Sequence, residues 1–365
     1  MLYDYKTVEM ELISNNPNWN IISDQFPYST EMKECIQDPD WHGEGSVWTH
    51  LQMIRNYQRK LEINPTQLWS LMYHDIFKAK TRQIIDGHVS HPKHSSLGAQ
   101  YAWSEMWEND IGTPYLRHQI YYIILWHQRV FHIWNNPNMF RAALNFQSNS
   151  CGVWPELIEF ARADMLGRIS NTATEGLDNI DLLVGWLDEN DIHQLPRCNN
   201  DKIFYFEGEN RNILIPAQIP KGSHVILMMG LPGSGKDSYL QKQFSNKNVV
   251  CLDDIRKTLK INMEDNQGLV IQTALEQARV YLRKGDSFSW NSTNLTHRNR
   301  DKIIKLFRDY DASVNVHAMS TPWPEILDRN IHRPKTKQVP RQVLDRMLWS
   351  WEPIDLTKVH RLTWV

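Results

Sequence analysis

Residues 225–240 read Val-Ile-Leu-Met-Met-Gly-Leu-Pro-Gly-Ser-Gly-Lys-Asp-Ser-Tyr-Leu. An apolar run, a glycine-rich turn and a polar helix start follow one another. That order decides the fold of the second half: a buried strand, a loop shaped for phosphate, and a helix from Lys236. Gly230, Gly233 and Gly235, with Ser234 between them, let backbone N–H groups turn inward around an anion. The helix N-terminus adds its dipole. Lys236 reaches the β- and γ-phosphates, so ATP (or another NTP) with Mg²⁺ is the expected ligand. Loops of this spacing place Ser or Thr after the lysine, whereas this chain has Asp237. Ser238 carries a hydroxyl on the same turn. Asp237 either meets Mg²⁺ through water or caps the positive helix end.

Reading outward, Val249–Leu252, Ser287–Trp290 and Val314–Ala318 are expected as further short buried strands, with helices between them. The layout for residues 224–365 is α/β with a mostly parallel sheet. Asp253 and Asp254 fall at the end of the second strand, where substrates sit in such sheets. A carboxylate there accepts the proton of an attacking hydroxyl, or the pair caps a helix. Further on, Arg329 and Arg333 lie four apart on one helical face, an arrangement suited to a polyphosphate.

The chain has 365 residues, enough for two domains, and is 41% hydrophobic and 22% charged. No run of 18 apolar residues occurs, so no membrane span is expected. The N-terminus lacks a basic-then-apolar layout, and the four cysteines show no metal or disulfide spacing. A reduced, cytoplasmic setting is therefore expected. Residues 1–223 hold 18 Lys and Arg against 27 Asp and Glu, while residues 224–365 hold 22 against 15. The second half is the one able to attract a polyanion.

Apolar residues recur at three- and four-residue steps from Val47 to about Glu189, with helix starts at Pro65-Thr66 and Pro155-Glu156. Residues 1–195 are expected to be all-α. Residues 196–223, with three prolines and two apolar runs around Glu-Gly-Glu-Asn, are expected to form a linker with a small hairpin. Nine of the fifteen histidines lie between His42 and His132. His50, His74-Asp75, His94, His127 and Asp164 each border apolar residues in a helical pattern. A bundle can gather such groups in its interior. Burying His74 and Asp75 side by side costs several kcal/mol unless they find partners, and a metal supplies them. Imidazole with carboxylate favours Mn, Fe, Co, Ni, Cu or Zn.

Two resemblances follow from these motifs. Residues 224–350, through GLPGSGK, DDIR, STNL (292–295) and PWPEILDRNIHR with a following VP, resemble the kinase domain of 5′-hydroxyl polynucleotide kinases. The resemblance makes Asp253 the general base and Arg256 the contact to an acceptor phosphate. It makes Arg329 and Arg333 contacts to the ATP phosphates and adds Thr293 on the acceptor side. Ser292 stands where that family often has Asp. Residues 45–170 resemble the HD phosphohydrolase superfamily. This implies one metal on His50, His74, Asp75 and Asp164, and a second shared by Asp75 with His94 and His127. Lys78 is then near the phosphate, and His127-Gln128 replaces the His-His doublet of some members. His42, His88, His91, His118 and His132 have no slot and are assigned to the surface or to support of the ligands.

Together the halves resemble bacterial HD–polynucleotide kinase end-healing enzymes. The resemblance implies removal of 2′,3′-cyclic phosphate and 3′-phosphate, and phosphorylation of 5′-OH ends, on RNA or DNA. A separate ligase would then join the ends. Two alternatives are a nucleotide-metabolism enzyme acting on small phosphoesters and nucleosides, and a nucleic-acid-binding kinase with a degenerate HD bundle.

Overall fold

The structure, a computed structural model, describes residues 3–58, 64–208, 211–244, 248–262 and 265–365. It divides into two compact units, Met1–Leu195 and Pro196–Val365. Among the described residues, no helix is long and apolar enough to cross a membrane.

The first unit is helical. Its middle is the Pro65–Tyr73 helix, in which every residue from Thr66 to Tyr73 is buried. A helix covered on all sides belongs in a core, and its sequence is apolar enough for that place. The Asn64 side chain accepts from Gln67 N at 3.0 Å, and Pro65 sits at a first-turn position where its missing N–H costs nothing. The Pro114–Trp126 helix starts the same way, with Thr113 Oγ1 accepting from Leu116 N at 3.2 Å. Val47–Gln58, His94–Glu108 and Trp154–Leu166 are further helices of this core.

One element adds to the expected all-helical front half. Strands β1 (Gln83–Ile85) and β2 (His88–Ser90) pair antiparallel, with Ile84 opposite Val89. The turn is Asp86-Gly87, at φ 52° and 85°. An Asp-Gly pair with both residues in the left-handed region is the tight turn that suits strand twist.

The second unit is built on five strands: β3 (His224–Met229), β4 (Asn248–Cys251), β5 (Phe288–Asn291), β6 (Ser313–Ala318) and β7 (Arg361–Trp364). Their order is β4-β5-β3-β6-β7, and every neighbouring pair is parallel. Strand β3, buried from Val225 to Met229, is central; the chain runs from it to β4 on one side and later crosses from β5 to β6 on the other. The crevice at the carboxyl ends beside such a strand is where ligands bind in open α/β sheets. Gly230, Asp253 and Ser292 all follow strand ends there. Strand β7 was not among the expected strands.

The expected linker hairpin is corrected. Residues Asn199–Glu207 form a helix, and among the described residues of 196–223 there is no strand. Glu209 and Asn210, at the expected turn, lie outside the described residues. The aromatic run Phe204-Tyr205-Phe206 reads as strand-forming, yet tertiary partners override it. Asp201, in the first helical turn, is buried and its Oδ1 accepts from Ala217 N at 2.8 Å, while Ile203 and Tyr205 are buried.

Candidate functional sites

In the first unit, the six expected ligands come from five places in the chain. His50 lies within the Val47–Gln58 helix. His74 follows the central helix as its C-cap, and Asp75 is next. His94 opens the His94–Glu108 helix, His127 caps Pro114–Trp126, and Asp164 lies near the end of Trp154–Leu166. The structure brings them together. His74 Nε2 lies 3.2 Å from Asp75 Oδ2, and His94 Nε2 and His127 Nε2 lie 3.4 and 3.6 Å from Asp75 Oδ1. His50 Nε2 lies 2.8 Å from Asp164 Oδ1. Asp75 belongs to two groups whose ligand atoms are all within 4.8 Å of one another: His50–His74–Asp75 and Asp75–His94–His127.

Backbone carbonyls orient these rings. His74 Nδ1 donates to Leu71 O at 2.9 Å, His94 Nδ1 to His91 O at 2.7 Å, and His127 Nδ1 to Ile124 O at 2.7 Å. His50 Nδ1 donates to Gly167 O at 3.0 Å. A carbonyl only accepts, so each Nδ1 carries a proton and each Nε2 faces the centre. Metal-ligating histidines are held this way. His74 Nε2 and both Asp75 carboxylate oxygens are buried without a well-directed hydrogen bond. These orphaned atoms lie in a set of two carboxylates and four imidazoles, a donor set that fits a transition-metal centre.

Burial alone would raise Asp75, but the field of His74 and Lys78 outweighs it and holds the carboxyl well below the usual range. Asp164 is likewise held low against its burial, by Arg168 and His50. Burial drives His94 down to about 3, leaving a neutral, ligand-ready imidazole. Lys78 Nζ is 2.7 Å from Asp75 Oδ2 and donates to Gln37 Oε1 at 2.6 Å.

Two supporting residues escaped the sequence reading. Glu44 Oε1 is 2.8 Å from His42 Nδ1 and 3.2 Å from His50 Nδ1. Arg168, four residues after Asp164, is ion-paired with it. Glu44 sits in a Gly-flanked loop with no periodicity, so only its place between His42 and His50 hints at it. His42 is a supporting residue, pushed down to about 3 by burial and the nearby Lys78. His91 supports His94 through its carbonyl. His118 is neither surface nor support: it is buried, and its Nε2 bonds Asn149 O at 2.6 Å. A cavity of about 930 Å³ reaches the cluster through His94 and Lys78.

In the second unit, β3 runs into the phosphate loop and the Lys236–Gln243 helix. Gly230 has φ 152°, and a Cβ there would meet Ser234 Oγ at 2.8 Å and Met319 at 2.9 Å. Lys236 Nζ donates to Gly230 O and Leu231 O, both at 2.9 Å. Burial lowers this ammonium to about 8, against the opposing pull of Asp237 and Asp253. Asp237 Oδ1 accepts from Asn291 Nδ2 at 2.6 Å, so the end of β5 holds the unusual aspartate in place. Ser238 is exposed on the same turn. Asn291 is a further residue with no sequence signal, since only the register of β5 brings it here.

Asp253 and Asp254 lie in the first turn of the Leu252–Leu259 helix. Asp253 is ion-paired with Arg256, and Asp254 with Lys257 at 2.7 Å. Thr293 O accepts from Gly230 N at 3.0 Å, which ties the strand-end loop to the phosphate loop. Arg329 is paired with Glu325 across one turn of the Trp323–Ile331 helix. One cleft of about 1730 Å³ is lined by Lys236, Asp253, Arg256, Thr293, Arg329 and Arg333.

Residues 225–354 match a family model described as an AAA domain. With the strand–loop–helix geometry, this defines the class of the second unit: a P-loop, kinase-like nucleotide-binding domain, a type that works with a nucleotide and Mg²⁺. No curated protein matches the chain.

Proposed function

We propose that this protein heals broken nucleic-acid ends. In this reading the first unit removes 2′,3′-cyclic phosphate and 3′-phosphate, and the second unit phosphorylates 5′-OH ends. The observation that carries it is the sharing of Asp75 between two groups of buried histidines, in a chain that also pairs Asp253 with Arg256 beside a phosphate loop. The two chemistries are complementary: one makes a 3′-OH, the other a 5′-phosphate, the ends that a separate ligase joins.

At the kinase site, Lys236, Arg329 and Arg333 hold the phosphates of ATP, and Arg256 holds a phosphate of the acceptor. Asp253 takes the proton as the 5′ oxygen attacks the γ-phosphorus, and the bond to the β–γ bridging oxygen breaks. ADP leaves. At the cluster, His50, His74, Asp75 and Asp164 would hold one metal ion, and Asp75, His94 and His127 a second. Such a metal supplies an activated water and a Lewis acid for phosphoester hydrolysis. Lys78 and Arg168 give the pocket positive charge for the phosphate, and the buried carbonyl contacts keep the imidazoles aimed.

The test is one oligonucleotide bearing a 5′-OH and a 3′-phosphate, incubated with each divalent metal, with and without labelled ATP. Both ends should be converted, the 5′ end only with ATP. A free nucleoside phosphorylated in preference to the oligonucleotide would replace this reading with nucleotide metabolism.

A further inference from the structure

We infer that Trp41 and Trp134 form a base-stacking rim that receives the last one or two bases of a single-stranded 3′ end. The inference rests on the phosphoesterase reading above and names the part of the substrate that this cavity recognises. Tryptophan is usually well covered. Trp41 and Trp134 are 44% and 39% exposed, and both line the 930 Å³ cavity that reaches His94 and Lys78.

Neither indole is on a loose segment. Trp41 lies within a turn in which His42 N donates to Asp38 O at 2.8 Å and Asp40 N to Asp38 Oδ1 at 3.1 Å. The other Asp38 oxygen accepts from Val89 N of β2 at 2.7 Å, so one buried carboxylate locks this turn to the hairpin. The His88 ring lies against Trp41 with centroids 5.4 Å apart. Trp134 sits on the short Ile133–Asn135 helix, seven residues after His127. A fixed aromatic surface loses little freedom when a base stacks on it.

Charge argues for stacking over a backbone grip. The inner part of the lining carries the buried Lys78 and the half-buried Arg168, a floor suited to one phosphate. The exposed part carries Asp86 and Glu175. An acidic rim cannot hold a run of phosphates, yet every base offers a π-face to an indole. The expected grip is therefore short: a terminal phosphate on the floor and one or two bases on the rim.

The test compares two 3′-phosphorylated oligonucleotides, one of them abasic at its last two positions. The wild-type protein should show a KM at least ~10-fold lower for the one with bases, the scale of a lost stacking contact. Trp41→Ala/Trp134→Ala should lose that preference, and Trp41→Phe/Trp134→Phe should restore most of it, with folding checked by thermal melting. A double alanine variant that melts like wild type and keeps the preference overturns the rim. If the wild-type protein hydrolyses neither oligonucleotide with any divalent metal, the phosphoesterase reading fails instead. The rim is then judged by photo-crosslinking of a 3′-terminal 5-iodouridine: adducts on Trp41 or Trp134 uphold it, and adducts confined to other residues sink it.

Discussion

The two candidate sites solve opposite problems. In the helical unit, His50, His74, Asp75, His127 and Asp164 are at most 1% exposed, and each imidazole is tied to a carbonyl. In the α/β unit, Asp253, Arg329 and Ser238 are exposed, and the charged groups pair with one another. A buried cluster must be fixed in advance, because unpaired charges in a core are costly. A phosphate loop takes its main contacts from backbone N–H groups. Its side chains can exchange a neighbour such as Glu325 for a phosphate. The first site is specified by its scaffold and the second by its loop.

The strongest way to break this comparison is to remove one centre and measure the other. In the proposed reading each unit carries its own set of groups, so the losses should be separate. Lys236→Ala should reduce 5′-phosphorylation by at least ~10²-fold, the scale of a lost transition-state charge contact, and leave 3′-phosphate removal near wild type. Asp75→Ala should abolish 3′-phosphate and cyclic-phosphate removal, since one carboxylate serves both groups, and leave the kinase within about 3-fold, the scale of effects between independent sites. Both activities and metal content are measured on both variants. Loss of kinase activity in a folded Asp75→Ala protein would show that the sites are coupled.

A subtler change separates scaffold from ligand. Gly167 O anchors His50, and a Cβ at Gly167 would lie 2.5 Å from Ile54 Cγ1 and 2.8 Å from Ile54 N. The helix bearing His50 therefore approaches a residue that must lack a side chain. Gly167→Ala keeps all six candidate ligands, while its added Cβ meets Ile54 and pushes the carbonyl away. The expected cost is about 10- to 100-fold in metal affinity, the range for loss of an outer partner. Competition with a chelator reads the affinity, and thermal melting reports any loss of packing. Wild-type affinity in Gly167→Ala would remove the carbonyl from the design of the site.

What the sequence made legible follows the same division. The phosphate loop could be read because its glycines, its lysine and the preceding strand are contiguous. The cluster residues could be picked out because their type and apolar neighbours suggested an interior site and the resemblance to a known ligand set separated them from the other histidines. Their carbonyl partners could not, since Leu71 O, Ile124 O and Gly167 O have no side-chain signature. Glu44 and Asn291 were hidden for a related reason, because a loop and a strand register bring them to their sites. The β1–β2 hairpin did carry a signal in Asp86-Gly87, outweighed by the helical pattern around it. Asn199–Glu207 misled in the other direction: its aromatic run favours a strand, and the buried contacts of Asp201 and Ile203 make it a helix.

The smallest expected effect probes the loop through its lysine. Burial lowers Lys236 to about 8, from an ordinary value above 10. Bound phosphates favour the charged ammonium and should raise it again. Below pH 8 the lysine is already protonated, so ATP affinity should be nearly independent of this group. Above pH 8 the free protein must take up a proton on binding. Affinity should then fall as pH rises, by at most about tenfold per unit, until the pH passes the value in the complex. The sign for folding is the reverse. The unfolded lysine holds its proton to higher pH, so this group's contribution to stability should grow from about pH 8 toward 10. Calorimetry of ATP binding at pH 7, 8 and 9, in buffers of different ionisation heat, measures both the affinity and the proton uptake. Lys236→Arg keeps its charge throughout this range, so the proton uptake should vanish in that variant even where binding weakens. Equal proton uptake in the two proteins would assign the titration to another group lining the cleft.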